Sequence, residues 1–173
     1  MSQSTLPRPL LKPSHRTLAE QTVGLGIISL GSFLFAFLLM TFFNEGSRWI
    51  ASLNTPFWTF SDSYHFPILA LVHASLAFAF WILWRSVSLR GLKVELSLFL
   101  TAFILESVWG ASLFKGKETL LALFALLLLM SAEVILAALF WKKEKGAGLL
   151  FFFPLLWTFY LISTNMVLCI ANP

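Results

Sequence analysis

The chain has 173 residues, of which 58% are hydrophobic and only 12% charged, with a formal net charge of +4 and a mean hydropathy of +0.84. That balance excludes an ordinary soluble domain and places the chain among integral membrane proteins. The surplus lysine and arginine sits in short connections between apolar runs, so it is a topology signal and no nucleic-acid partner is expected.

Residues 1–21 form a polar, basic tail with Arg8, Lys12, His15 and Arg16, and residues 22–173 read as a single all-α membrane domain. Crossing the hydrocarbon core takes about 20 mostly apolar residues, so counting such runs counts helices. The first run, Thr22 to Phe43, is longer than the roughly 7–15 apolar residues of a secretory leader, and no small-residue cleavage site closes it; it is expected to remain as helix 1. Next comes a loop crowded with Trp49, Phe57, Trp58, Phe60 and Tyr64, whose apolar area must be covered by headgroups, by the bundle or by a ligand. It reads as a lid. Helix 2 is expected from Phe66 to Trp84, helix 3 from Val94 to Phe114, helix 4 from Thr119 to Trp141 and helix 5 from Gly148 to Ile170. The fold class is an integral bundle of five transmembrane helices with an aromatic-rich loop between helices 1 and 2.

Orientation follows from the basic residues, because short loops that carry them stay cytoplasmic. Nine (Arg8, Lys12, Arg16, Arg85, Arg90, Lys93, Lys142, Lys143, Lys145) fall on the side of the N-terminus, against Arg48, Lys115 and Lys117 on the side of the lid. The N-terminus is therefore expected in the cytoplasm. One cysteine, Cys169, allows no intrachain disulfide and suggests no thiol metal site.

An ionisable group within hydrocarbon needs a partner, water or a function. His73 in helix 2, Glu106 in helix 3 and Glu133 in helix 4 are such groups, with Asn165 in helix 5 as an uncharged companion. Helical spacing puts Leu69, Ala77 and Phe80 on the face of His73, Trp109 and Gly110 on that of Glu106, and Leu161, Thr164 and Leu168 on that of Asn165, with Trp157 two turns away. Two readings stand side by side: the four faces look into one cavity, or the polar groups pin helix packing by hydrogen bonds. Trp81 and Trp84 beside Arg85 read as an interfacial belt, whereas Trp109 and Trp157 lie deeper. Pro67 is expected at the start of helix 2 and Pro154 one turn into helix 5, where a missing donor is tolerated, and Ser61, Asp62 or Ser63 is N-cap material. Gly24, Gly31, Ala70 and Ala74 would permit close contact between helices, including those of a homodimer.

The constellations of soluble enzymes are absent: no glycine-rich phosphate loop, no H-E-x-x-H metal spacing and no credible nucleophilic triad. No metal or cofactor is required by anything in the sequence.

The spacing W-x3-L-x2-P-x-W at Trp49, Leu53, Pro56 and Trp58, followed by Pro67, Trp81 and Trp84, resembles the tryptophan-rich sensory protein family, TspO/MBR, the bacterial relatives of the peripheral benzodiazepine receptor. Leu105, Trp109, Leu113 and Phe114 are similar to its L-N-x-x-W-S-x-L-F, and Trp157, Asn165 and Asn172 keep its spacing of eight and then seven. The resemblance implies a five-helix, multi-pass protein of a bacterial cell membrane, often dimeric, that holds porphyrins or heme, sterol-like molecules or benzodiazepine-type ligands under the lid. It implies a site of Trp49, Trp58, Leu69, His73, Glu106, Trp109, Trp157, Leu161 and Asn165, with Trp58, Trp109 and Trp157 stacking on the ligand and His73, Glu106 and Asn165 fixing its polar edge. This sequence has Leu69 where the family carries a tryptophan, His73 where it carries a tyrosine and Glu106 where it carries an asparagine. A ligand-binding or sensory protein for a hydrophobic small molecule such as a tetrapyrrole is the expected function. The alternatives are a proton-coupled carrier working through His73, Glu106 and Glu133, and light-dependent porphyrin degradation, expected to be slow because Leu69 replaces one of the indoles linked with it.

Overall fold

The computed structural model describes residues 16–172. Among these are α1 (Leu18–Ile50), α2 (Asp62–Ser86), α3 (Lys93–Gly110), α4 (Thr119–Lys143), α5 (Lys145–Leu149) and α6 (Phe152–Ala171), and no strand. Five spans are long and apolar enough to cross a bilayer, α5 and α6 together making the fifth, as the apolar runs predict. Arg8, Lys12 and His15 of the basic tail lie outside the described residues.

The helix boundaries have local causes. A capping box sets the start of α1 at Leu18, four residues before the expected Thr22: Glu20 N–H donates to Thr17 Oγ1 at 3.3 Å while Thr17 N–H donates to Glu20 Oε2 at 2.7 Å. With no breaker before Pro56, the helix runs on past Phe43 to Ile50, so Trp49 sits on its last turn and the lid proper is only residues 51–61. Ser61, with extended backbone, is the residue before α2, although its side chain makes no capping bond. Because α2 begins at Asp62, Pro67 falls in its second turn, beyond the position expected for it, and offers no N–H to the Ser63 carbonyl.

A 3₁₀ turn over Leu89–Leu92 leads into α3, which widens at its far end into a π turn over Ala111–Gly116. Lys117, at φ 58°, closes it in the left-handed conformation, and Glu118 N–H returns to the Ser112 carbonyl at 2.9 Å. The fifth span starts at Lys145 and is interrupted at Leu150–Phe151. Pro154 explains the break: it has no N–H for the Leu150 carbonyl, and its ring would strike that carbonyl in a continuous helix. It thereby occupies the first turn of α6, whereas the apolar run predicts it one turn into an unbroken helix from Gly148.

In the bundle α1 lies against α2, α3 against α4, and α4 against α6. The core joins Leu76, Phe80 and Leu83 of α2 to Phe99 of α3, Leu129, Leu136 and Phe140 of α4, and Trp157 and Leu161 of α6. Helix α1 is the least enclosed: 22% of its most apolar window is buried, against 50% for α2, so its outer face is left to the lipid. Gly46 lets α1 press on the π turn, since a Cβ there would lie 2.7 Å from Phe114 Cα. Gly24 is occupied in the same way by the Trp84 ring, whereas Gly31 faces open space.

Both ends of the bundle are tied by charge. At the α1 N-terminal end, Lys143 Nζ donates to the Gly91 carbonyl at 2.7 Å and pairs with buried Glu95 at 2.6 Å, joining α4 to the start of α3. Trp81 donates its indole N–H to Gln21 O at 2.9 Å under the Arg85 guanidinium, and Arg16 lies 3.6 Å over the Trp84 ring. At the lid end, Lys115 pairs with Glu45 at 3.2 Å.

Candidate functional site

The lid is fastened mainly to α6. Asn54 N–H donates to Asn172 Oδ1 at 2.9 Å, and Asn172 Nδ2 donates back to the Asn54 carbonyl at 3.2 Å, a reciprocal clamp across 118 residues of sequence. Further along, Phe60 N–H donates to the Tyr160 hydroxyl at 3.0 Å while the two rings meet at 4.8 Å. A turn closed by Thr59 N–H on the Pro56 carbonyl at 3.0 Å brings Thr59 and Phe60 inward and leaves Phe57 at the tip, 97% exposed.

Beneath the lid is a cavity of about 70 Å³. Phe43, Ser47 and Ile50 of α1 form one wall, Trp109, Leu113 and Phe114 of α3 and its π turn another, and Leu161, Thr164 and Asn165 of α6 a third, with Thr59 and Phe60 as the roof. A second void of about 20 Å³ adjoins it through Phe43, His65, Trp109 and Phe114, and adds Leu69 and Trp157 to the wall. His65 lies between the Phe43 ring (4.5 Å) and the Trp157 ring (6.2 Å), with Nδ1 3.3 Å from the Ser61 carbonyl. Trp157 stacks on Tyr160 at 5.1 Å. The walls are therefore aromatic and apolar, yet Trp109 Nε1, Trp157 Nε1, Asn165 Nδ2, Thr164 Oγ1 and Thr59 Oγ1 are buried without hydrogen-bond partners. Leaving such a group unmet costs about 1–3 kcal/mol, so a cavity edged by several of them is primed for a polar visitor.

One helical turn deeper lies a polar layer that crosses the bundle. Ser32 Oγ of α1 donates to the His73 carbonyl at 3.0 Å; His73 Nε2 of α2 stands 3.6 Å from Glu106 Oε2 of α3; and Glu133 of α4 stands beside the Thr158 hydroxyl of α6 and within electrostatic reach of Glu106. All five side chains are buried. Phe35 and Phe103 flank the imidazole at 5.6 and 5.9 Å. Toward the α1 N-terminal end of this layer, the Phe80 ring packs on those of Phe99 at 5.2 Å and Phe140 at 6.4 Å.

The residues singled out by sequence thus divide into three groups. Trp109, Leu161 and Asn165 line the lid cavity, and Leu69 and Trp157 line the void beside it. His73 and Glu106 lie below, facing each other and lining neither space. Trp49 packs half-buried against the core, and Trp58, 41% exposed, stands edge-on to Phe57 at 5.0 Å; neither borders either space. Sequence reading missed His65, Phe43 and Tyr160. Tyr160 carried a signal, because it belongs to the same α6 stripe as Trp157, Thr164 and Asn165; His65 did not, because its place depends on where α2 begins.

No curated protein matches the chain. A family model described as the TspO/MBR family matches residues 26–170, nearly the whole of it, and with five apolar spans that bear out the expected architecture, the chain belongs to the TspO/MBR family.

Proposed function

We propose that this multi-pass membrane protein is a ligand-binding, sensory member of its family that takes a hydrophobic small molecule beneath the α1–α2 loop. The observation that supports the reading is the lid cavity itself: aromatic walls from α1, α3 and α6, a latched roof, and buried N–H groups without partners. A tetrapyrrole is the first molecule to try. At about 70 Å³ the closed cavity is smaller than the ~150 Å³ engineered void that accepts benzene, so a macrocycle requires the lid to lift from Tyr160 and Asn172. Purified protein titrated with protoporphyrin is expected to give saturable tryptophan quenching that weakens in Trp157→Phe. Quenching indifferent to that substitution contradicts the reading.

The orientation in this proposal is N-terminus inside, lid outside, from the distribution of lysine and arginine. In a Cys169→Ser background, Lys117→Cys is expected to react with an impermeant maleimide in intact cells and Lys145→Cys only after lysis; the opposite pattern reverses the topology.

The proton-coupled carrier has less behind it. The His73–Glu106–Glu133 layer runs across the bundle, and toward the α1 N-terminal end it is followed by the apolar Phe80, Phe99 and Phe140 rings. Uptake into proteoliposomes that ignores an imposed pH gradient is the result expected here.

A further inference from the structure

Two features lie on either side of one aromatic wall. On the inner side, the indole N–H groups of Trp109 and Trp157 and the amide Nδ2 of Asn165 are without partners, although each side chain is more than nine-tenths buried. The Cys169 thiol lies 3.8 Å from Asn165 Oδ1, and with the amide in this orientation Nδ2 is the atom left over. Among the described residues no Asp, Glu, Lys or Arg lines either inner space; His65 and the Thr59 and Thr164 hydroxyls there can donate or accept, whereas the unpartnered indole and amide N–H groups can only donate.

On the outer side, a groove of about 460 Å³ runs between α2 and α6, from Phe60 at the lid down to Phe153. Its lips, Leu71, Leu156 and Phe159, are each more than half exposed on a membrane-spanning face. Its polar groups are few: the Ser163 hydroxyl donates to the Tyr160 carbonyl at 2.7 Å, and the Tyr160 hydroxyl accepts from Phe60 N–H. Phe153 to Ser163 spans roughly 15 Å at helical rise, the reach of a medium-length acyl chain. The wall between groove and cavities is Trp157, Tyr160 and Phe60, residues that border both sides.

We propose that groove and cavities form one site for an amphipathic molecule, its alkyl chain lying between α2 and α6 and its head, a carboxylate or carbonyl that can only accept hydrogen bonds, set against Trp109, Trp157 and Asn165. The inference rests on the ligand-binding reading above and adds the class of ligand. A groove in hydrocarbon offers an alkyl chain little that the bilayer does not, because lipid tails are as apolar as its lining. The head decides, since a donor buried away from water has no other partner. Entry from the side requires only that Phe60 part from Tyr160, one hydrogen bond and one ring contact.

The test is competition for tritiated palmitate on the full chain in nanodiscs, read by scintillation proximity, with unlabelled palmitate, methyl palmitate, hexadecylamine and hexadecane. Palmitate is expected to compete at least about tenfold better than the amine or the alkane, the discrimination that a lost buried hydrogen bond provides. Methyl palmitate competing as well indicates that a carbonyl suffices; palmitate alone indicates that the charge is used; either supports the site. Trp109→Phe and Asn165→Leu should each weaken palmitate about tenfold, and Ser163→Phe, which fills the groove and spares the donors, should weaken palmitate and ester together. Should Asn165→Leu fail to fold, Trp109→Phe decides. Equal competition by hexadecane or hexadecylamine, or palmitate binding untouched by Trp109→Phe, overturns the inference. If protoporphyrin still binds in a Trp157-dependent way in that case, the ligand-binding reading survives; if no probe of either kind saturates, the reading falls with it.

Discussion

His73 and Glu106 meet across α2 and α3 with Nε2 3.6 Å from Oε2, a little beyond a direct hydrogen bond, in a layer where both side chains are buried. Nδ1 lies 3.0 Å from the Leu69 carbonyl, which can only accept, so Nδ1 carries hydrogen and Nε2 is the atom whose state depends on the partner.

That arrangement predicts different fates for two substitutions. Glu106→Gln can donate an amide N–H to Nε2 in the same space and is expected to unfold within about 1 kcal/mol of the parent. Glu106→Leu leaves the imidazole unmet and should cost about 2–4 kcal/mol. Thermal unfolding of the three proteins in one detergent decides it. A glutamine variant as unstable as the leucine variant means that the ionic form is indispensable.

The lid clamp makes a second prediction. Asn172→Ala removes the side chain that both accepts from Asn54 N–H and donates to its carbonyl, a loss of about 1–2 kcal/mol, local to residues 51–61. Hydrogen exchange over that segment should speed up roughly tenfold while α3 and α4 are unchanged. Unaltered exchange would show that Tyr160 alone holds the loop.

Two glycines of α1 separate helix propensity from packing. At Gly46 even a methyl group meets the Phe114 backbone, so Gly46→Ala should destabilise by about 1–3 kcal/mol; Gly31→Ala, with nothing within 4 Å, should gain up to about 1 kcal/mol from helix propensity. Equal shifts in melting temperature for both would mean that α1 does not press on the π turn.

Leu69 bears on photochemistry. It is buried on the wall of the smaller void, with Trp157 and Trp109 on the same wall. Light-driven loss of protoporphyrin absorbance is expected to be slow or absent in the parent, and Leu69→Trp is expected to raise it by adding a third indole beside Trp109 and Trp157. Brisk turnover by the parent would show that Leu69 does not limit the chemistry.

The spans, their number and the inward stripe of α6 are properties of local sequence. Apolar run length sets how many helices cross, and the 3.6-residue repeat puts Trp157, Leu161 and Asn165 on one side whatever they face. The family's pattern was legible too, including a detail whose meaning appears only in three dimensions. Leu113 and Phe114 stand one residue further from Trp109 than L-F does in the L-N-x-x-W-S-x-L-F pattern, and the π turn over Ala111–Gly116, which holds one residue more per hydrogen-bonded ring than an α turn, takes up that residue and keeps both side chains on the cavity wall. What tertiary structure alone decided is depth and enclosure. His73 and Glu106 share inward faces with the cavity residues, but depth along the bundle depends on the registry of α2 against α3, so they fall one turn below the lid cavity. Trp49 and Trp58 are as aromatic as Trp157, but α1 carries Trp49 into its last turn and the Pro56–Thr59 turn points Phe60, not Trp58, at Tyr160. Side-chain chemistry names candidates; only the packing of distant segments determines which of them share a wall.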